Sequence, residues 1–198
     1  MKILLGTPIH VSKDYAVQRW LDCVAALSHP IDELFLVDNS PTPDYSEQLK
    51  ERVPFATVLY CNLVERQLDF RIAHAREIIR RKVLDNGYDW WFSWECDTLA
   101  PPECLDVLLR FGQEFDIVHH SYPTRQDPDI KENAFGLSIL HHRVLEQHVF
   151  IGQAGEIDPL MPNCFHGGES WFSRRVLRAG GKYIELFGVI QPVIHLDS

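Results

Sequence analysis

The sequence contains no run approaching the roughly 20 apolar residues of a membrane-spanning helix, and its apolar start, Met1-Lys2-Ile3-Leu4-Leu5, is far too short for a signal peptide. Nor does it carry an excess of positive charge. Lys and Arg number 19 against 28 Asp and Glu, a formal net charge of −9. A nucleic-acid backbone or an anionic membrane demands clustered cations, so neither is expected as the main partner. The one tight basic group, Arg174, Arg175 and Arg178, falls at helical spacing and reads as a solvated face. Its five cysteines (Cys23, Cys61, Cys96, Cys104 and Cys164) are odd in number, widely spaced and without a C-x-x-C pair. That pattern reads as reduced thiols, disfavours structural zinc and makes the cytoplasm the expected compartment. The adjacent pairs His119-His120 and His141-His142 lack H-x-x-x-H spacing and their side chains diverge, which argues against a zinc hydrolase. Repeats and low-complexity tracts are also absent, so the 198 residues are expected to form one domain with a substantial core.

What is present centres on Trp90-Trp91-Phe92-Ser93-Trp94-Glu95-Cys96-Asp97-Thr98. The aromatic run is short and apolar on both faces, as a strand in the middle of a sheet requires. Beyond it stand two carboxylates, Glu95 and Asp97, two residues apart. If the extended backbone persists, both lean to one side and Cys96 to the other. The carboxyl ends of parallel strands are where ligands sit in open α/β sheets, and two oxygen donors there suit a hard divalent cation. A second reading makes Asp97 the N-cap of a helix over residues 98–111, with Pro101, Pro102 and Glu103 at its start.

Around this stretch, strands are expected at residues 2–8, 33–37 and 56–60, and helices at 15–27 and 45–52. That alternation predicts parallel pairing through right-handed crossovers, so residues 1–97 read as the nucleotide-binding half and 98–198 as the other. A helix over 70–84 ends at Asn86-Gly87 and carries Ile72, Ile79 and Val83 on one face. Arg76 falls on that apolar stripe. Either it finds an anion, from the strand-end carboxylates or a ligand phosphate, or it reaches solvent along its aliphatic stem. Further strands are expected at 115–120 and 134–140, the latter containing Gly136, with a polar loop at 121–133, a short helix at 141–148 and a long irregular segment at 150–166. Gly167-Gly168-Glu169-Ser170-Trp171 opens a helix to Ala179, and Glu169 lies on its inward face or serves as a first-turn carboxylate. Two closing strands, 182–187 and 189–194, read as a pair and deliver His195 near the chain end. A histidine there is merely exposed unless something such as a metal ties it down.

Taken together these residues resemble the metal-dependent GT-A glycosyltransferases, most closely the family 2 type, within the nucleotide-diphospho-sugar transferase superfamily. Glu95-Cys96-Asp97 resembles the family's Asp-x-Asp motif with Glu in first place, and Gly136 its glycine-containing loop. Gly168-Glu169-Ser170-Trp171 resembles its Glu-Asp-Trp segment, and His195 its C-terminal histidine. Thr7-Pro8, Asp38-Asn39-Ser40 and Ala75-Arg76 are similar to its nucleotide-side marks. The resemblance implies an α/β, single-domain, Rossmann-like GT-A fold, a mostly parallel central sheet with helices on both faces, residues 98–198 forming the acceptor and catalytic half. It implies Mn²⁺ or Mg²⁺ on Asp97 and His195, and a UDP-sugar donor near Thr7, Pro8, Asp38, Asn39, Arg76, Glu95 and Gly136. A hydroxyl acceptor would meet Trp171 or His166, with Glu169 as base and inversion at the sugar. Two departures stand out. Glu95 has a longer reach than Asp and would touch ribose or donor sugar, and Ser170 replaces the family's usual base. Glu169, a loop carboxylate such as Asp158, a retaining mechanism or loss of activity all remain open at that point. A sugar-phosphate nucleotidyltransferase is a rival reading, but Gly6-Thr7-Pro8-Ile9-His10 does not supply the glycine-rich, Arg- and Lys-containing loop such enzymes carry. A nucleotide-sugar-binding domain without catalysis is the other.

Overall fold

A computed structural model describes residues 1–63, 68–123, 131–132, 135–151 and 168–197. The chain begins with β1 (Ile3–Ile9), a 3₁₀ turn (Val11–Lys13), α1 (Asp14–Ala25), β2 (Glu33–Asp38), α2 (Asp44–Arg52) and β3 (Ala56–Tyr60). Then come α3 (Leu68–Asp85), β4 (Trp90–Trp94), β5 (Thr98–Leu99), α4 (Cys104–Gly112), β6 (Ile117–Pro123) and β7 (Lys131–Glu132). It closes with β8 (Leu137–His141), α5 (His142–Gln147), α6 (Glu169–Arg178), β9 (Tyr183–Phe187) and β10 (Ile194–His195). An eight-stranded sheet runs in the order β3-β2-β1-β4-β8-β6-β7, with β9 also on β6, and β5 and β10 form a separate two-stranded ribbon.

The first half pairs as expected: β1–β2, β1–β4 and β2–β3 are all parallel. Beyond β4 the directions mix, since β8 is antiparallel to both β4 and β6 while β9 returns parallel to β6. β4 lies between these halves with all five residues buried. Its pleat sends Trp90, Phe92 and Trp94 into one core and Trp91 into the other. The first core is closed by α1, α2 and α4 through Val17, Trp20, Leu49, Leu105 and Leu108. The second is closed by α3, α5 and α6 through Ile79, Val83, Leu145, Phe172 and Val176. Helices thus cover both faces of the sheet. Contact is tightest where α3 crosses β1: a Cβ on Gly6 would collide with Ile79 and come within 2.9 Å of Trp91 Nε1, which already donates to the Gly6 carbonyl at 2.9 Å.

Four expectations need correction. The helix expected at 98–111 starts only at Cys104, because Thr98 and Leu99 are taken into the ribbon with β10 and Pro101-Pro102 follow. Asp97 is therefore not a helix cap; Glu103 holds that position. The closing strands do not pair with each other, as β9 finds β6 and β10 finds β5. Residues 121–133 are not wholly loop, for β6 continues to Pro123 and β7 pairs with it. Finally, of the three arginines on α6 only Arg178 is exposed; Arg174 and Arg175 are half-buried, with the Arg175 guanidinium 4.5 Å from the Trp171 ring centre.

α3 is fastened to the segment after α5 by one buried carboxylate. Glu77 accepts from Arg80 Nε (2.9 Å) and Nη2 (2.8 Å), from Arg81 Nε (3.3 Å) and from the Phe150 amide (3.1 Å). Burial alone would raise this carboxyl, but the Arg80 bonds, the Phe150 amide and Arg81 together bring it below the ordinary range. A depressed pKa contributes stability that is present above the unfolded value and lost as pH falls through the folded one. Glu77→Gln should therefore lower unfolding free energy by about 3 kcal/mol at pH 7, the scale for breaking a buried ion pair. In denaturant titrations the gap to wild type should narrow below about pH 4; a gap independent of pH would assign the loss to packing alone.

Candidate active site

The site is built at the carboxyl ends of β1, β2 and β4. The extended backbone stops at Trp94, and residues 96 and 97 form a turn. Three bonds fix that turn: the Glu95 amide donates to the Gly136 carbonyl (2.9 Å), the Thr98 amide to the Glu95 carbonyl (3.1 Å), and Trp94 Nε1 to the Thr98 carbonyl (2.7 Å). Glu95 and Asp97 converge because of this turn rather than through strand alternation. Cys96, expected to point away, is buried and also lines the cleft.

β10 then lays the end of the chain along the turn. His195 is in register with Thr98, and the Leu196 amide donates to the Asp97 carbonyl at 2.8 Å. Tyr15 Oη donates to the Leu196 carbonyl at 3.2 Å. The imidazole stands edge-on to the Tyr122 ring, centroids 5.4 Å apart, with Nε2 3.6 Å from Asp97 Oδ2. Glu95, Asp97 and His195 each offer a ligand atom, all within 4.8 Å of one another. Two carboxylates and an imidazole form a donor set that could hold Mn²⁺ or Mg²⁺.

Cations balance this acidic turn. Arg76, only 5 % exposed, contacts Glu169 Oε1 directly and lies 3.7 Å from Glu95 Oε1. Lys13 contacts Asp97 Oδ2 directly. Burial raises the Glu95 carboxyl above the usual carboxylate range; Arg76 opposes the rise, Glu169 adds to it, and Lys13 and His195 oppose it. The cleft in front has a volume of about 430 Å³ and is walled by Pro8, Ile9, His10, Ser12 and Lys13, by Asn39, by the first half of α3 and by the acidic turn. Its wall residues carry buried polar atoms with no hydrogen-bond partner among the described residues: Asn39 Oδ1, Arg71 Nε and Arg76 Nε. Such atoms are costly unless a ligand or water meets them.

Not every residue expected at the site faces it. Thr7 is fully buried and its hydroxyl donates to the Trp94 carbonyl at 2.8 Å, tying β1 to the end of β4. Asp38 is fully buried too, accepting from the Ser40 amide (2.9 Å) and the Ser46 hydroxyl (2.6 Å), so its carboxylate serves the turn after β2. Pro8 and Asn39 do line the cleft. Gly136 supports Glu95 from β8's side. Glu169 lies in the first turn of α6, reached from the acidic turn through Arg76. Trp171 is 2 % exposed under Arg175, so its ring is not presented for stacking on an acceptor. His166 and Asp158 lie outside the described residues. Sequence reasoning missed His10, Lys13 and Arg71, which share the cleft wall. Lys13 had a visible signal, a lysine in the loop after a first parallel strand; Arg71 had none beyond its helix. A second cavity of about 450 Å³, between the end of β6 and residues 187–193, includes none of the acidic residues.

Neither a protein-family model nor a curated protein matches the sequence. Solved structures do. The mannosyltransferase PcManGT of Pyrobaculum calidifontis, in complex with GDP-Man and Mn²⁺, superposes with a TM-score of 0.65 at 16 % identity, over 95 % of this chain and 55 % of that one. Glucosyl-3-phosphoglycerate synthase of Mycobacterium tuberculosis, with Mn²⁺, UDP and glucosyl-3-phosphoglycerate, gives 0.64 at 13 %, over 100 % and 72 %. A 4-diphosphocytidyl-2C-methyl-D-erythritol synthase gives 0.62 at 14 %, over 100 % and 92 %. The chain spans about half, 49 %, of an S. aureus TarS structure it matches. Its fold is thus the Rossmann-like fold of nucleotide-diphospho-sugar transferases, and among those the GT-A glycosyltransferases are its recurrent structural neighbours.

Gly136 lets β8 pass close to the acidic turn. A Cβ there would collide with the Tyr122 hydroxyl, lie 2.9 Å from Tyr122 Cζ and 3.2 Å from Glu95 Oε2. Gly136→Ala should cost about 1–3 kcal/mol of stability, the usual scale of overpacking, seen as a lower denaturation midpoint. An unchanged midpoint would mean that Tyr122 moves aside freely.

Proposed function

We propose that the protein is a metal-dependent, inverting glycosyltransferase that moves a sugar from a nucleoside diphosphate sugar, a UDP-sugar in the first instance, to a hydroxyl acceptor. The observation that carries this reading is the convergence of Glu95, Asp97 and His195 at the carboxyl edge of a GT-A sheet. Asp97 and His195 hold the ion, Mn²⁺ or Mg²⁺. When bound, it acts as a Lewis acid on the diphosphate and stabilises the charge of the leaving group. Pro8 and Asn39 border the nucleoside, and Glu95 reaches ribose or the donor sugar. Arg76 meets both Glu95 and Glu169 through one guanidinium nitrogen, Nη2, and so links the donor side to α6. Glu169, in the first turn of α6, receives the acceptor's proton in this reading as the hydroxyl attacks the anomeric carbon, since Ser170 is too weak a base. Among the described residues no helix is long and apolar enough to cross a membrane.

A nucleotidyltransferase is the second reading, favoured by the 92 % length match to the erythritol synthase and by Lys13 in the first loop. The two diverge in their products. UDP release from UDP-sugars should require Mn²⁺ or Mg²⁺, and Asp97→Asn should reduce it by at least 100-fold, roughly the worth of a group stabilising a leaving charge. Equal turnover in EDTA would remove the metal from the mechanism. Pyrophosphate release from a nucleoside triphosphate and a sugar phosphate would favour the second reading. UDP bound by calorimetry with no sugar release would mark a binding domain.

A further inference from the structure

Asp97 carries a cation of the protein's own. Lys13 ends the 3₁₀ turn after β1, its side chain 34 % exposed, and its Nζ rests on Oδ2 of an Asp97 that is 2 % exposed. That same oxygen is 3.6 Å from His195 Nε2. It is thus both the ammonium's partner and one corner of the Glu95, Asp97, His195 cluster.

A buried carboxylate needs a counter-charge; His195 stands 3.6 Å away, and the two arginines of the cleft each contact another group. Arg76 is held by Glu169 and Glu95, and Arg71 Nη1 donates to the Asn39 carbonyl at 3.3 Å. Lys13 supplies the charge. An ammonium, however, has only donors and cannot share an ion as a ligand. A divalent cation on Asp97 would face Lys13 across a single oxygen, two like charges in contact. Lys13 lines the same cleft as Arg71 and Arg76, and its four-carbon stem is flexible. Once displaced, it has space to enter and, with a diphosphate there, an anion to meet.

We propose that Lys13 is the resident counter-ion of Asp97, displaced by the divalent cation and transferred to the donor diphosphate. The proposal rests on the metal-dependent reading above and adds a coupling to it. Metal alone must evict the ammonium, which weakens its apparent affinity; a diphosphate gives the ammonium a new partner, so metal and donor bind cooperatively.

Calorimetric titration of wild type, Lys13→Gln and Lys13→Met with MnCl₂, with and without UDP, tests this directly. Both variants should bind Mn²⁺ alone at least tenfold more tightly than wild type, bind UDP several-fold more weakly in Mn²⁺, and lose most of the tightening of Mn²⁺ by UDP. Thermal melts provide a fold check: the variants should melt lower than wild type without metal and gain more from Mn²⁺. Wild type that binds Mn²⁺, with variants that bind it no more tightly, would remove this proposal and leave the metal reading standing. Undiminished coupling between UDP and Mn²⁺ in the variants would overturn it equally. If no folded form binds Mn²⁺ with or without UDP, the metal reading falls and takes the proposal with it.

Discussion

Carboxylates gathered at the end of a buried strand repel one another and lose hydration, so they persist only where cations are held among them. That balance organises the cleft. Arg76 from α3 stands between Glu95 and Glu169, and Lys13 from the first loop rests on Asp97. Each cation arrives from a different element, and each element is anchored by its own packing. Ile79 and Val83 of α3 lie in one core, and Val17 and Trp20 of α1, which follows the Lys13 turn, lie in the other. The charged cleft therefore reports the relative placement of helices on both faces of the sheet.

Strand direction changes beyond β4, and the cleft draws on both sides of that change. Four parallel strands give a C-terminal edge that points Pro8, Asn39 and Glu95 toward one cleft. The turn just before the antiparallel neighbour β8 supplies the side-chain-free Gly136 beside Glu95. The β5–β10 ribbon then closes the arrangement, with the Leu196 amide and the Tyr15 hydroxyl bonding the segment around His195 in place. His195 is held beside Asp97 by backbone bonds and needs no ion to stay there.

Much of this was legible in the chain itself. Aromatic residues on both faces of 90–94 read as a central strand, 56–60 read as a further strand, and the body of α3 followed from its periodicity. Arg76 on the apolar stripe read either as a guanidinium in search of an anion or as one reaching solvent along its stem, and its burial against Glu169 and Glu95 decides for the first. Capping and pairing were less legible. Asp97 and Thr98 have the residue types of a helix start, yet a distant strand, β10, claims Thr98. Thr7 and Asp38 look like ligand contacts by position, but their oxygens are spent on Trp94, Ser40 and Ser46. Whether a polar side chain faces a ligand or its own backbone depends on rotamer and neighbour, which local pattern does not encode.

Sequence by itself determined the alternation of strands and helices in the first half and the carboxylates at the tip of β4, because each follows from the pattern within one element, and it left open which way Arg76 turns. Tertiary structure alone decided that Lys13 meets Asp97, that Arg76 joins Glu95 to Glu169 and that the chain end returns to the acidic turn. Those contacts join residues some 20 to 100 positions apart in the chain, and what brings them together is the packing of whole elements against a twisted sheet.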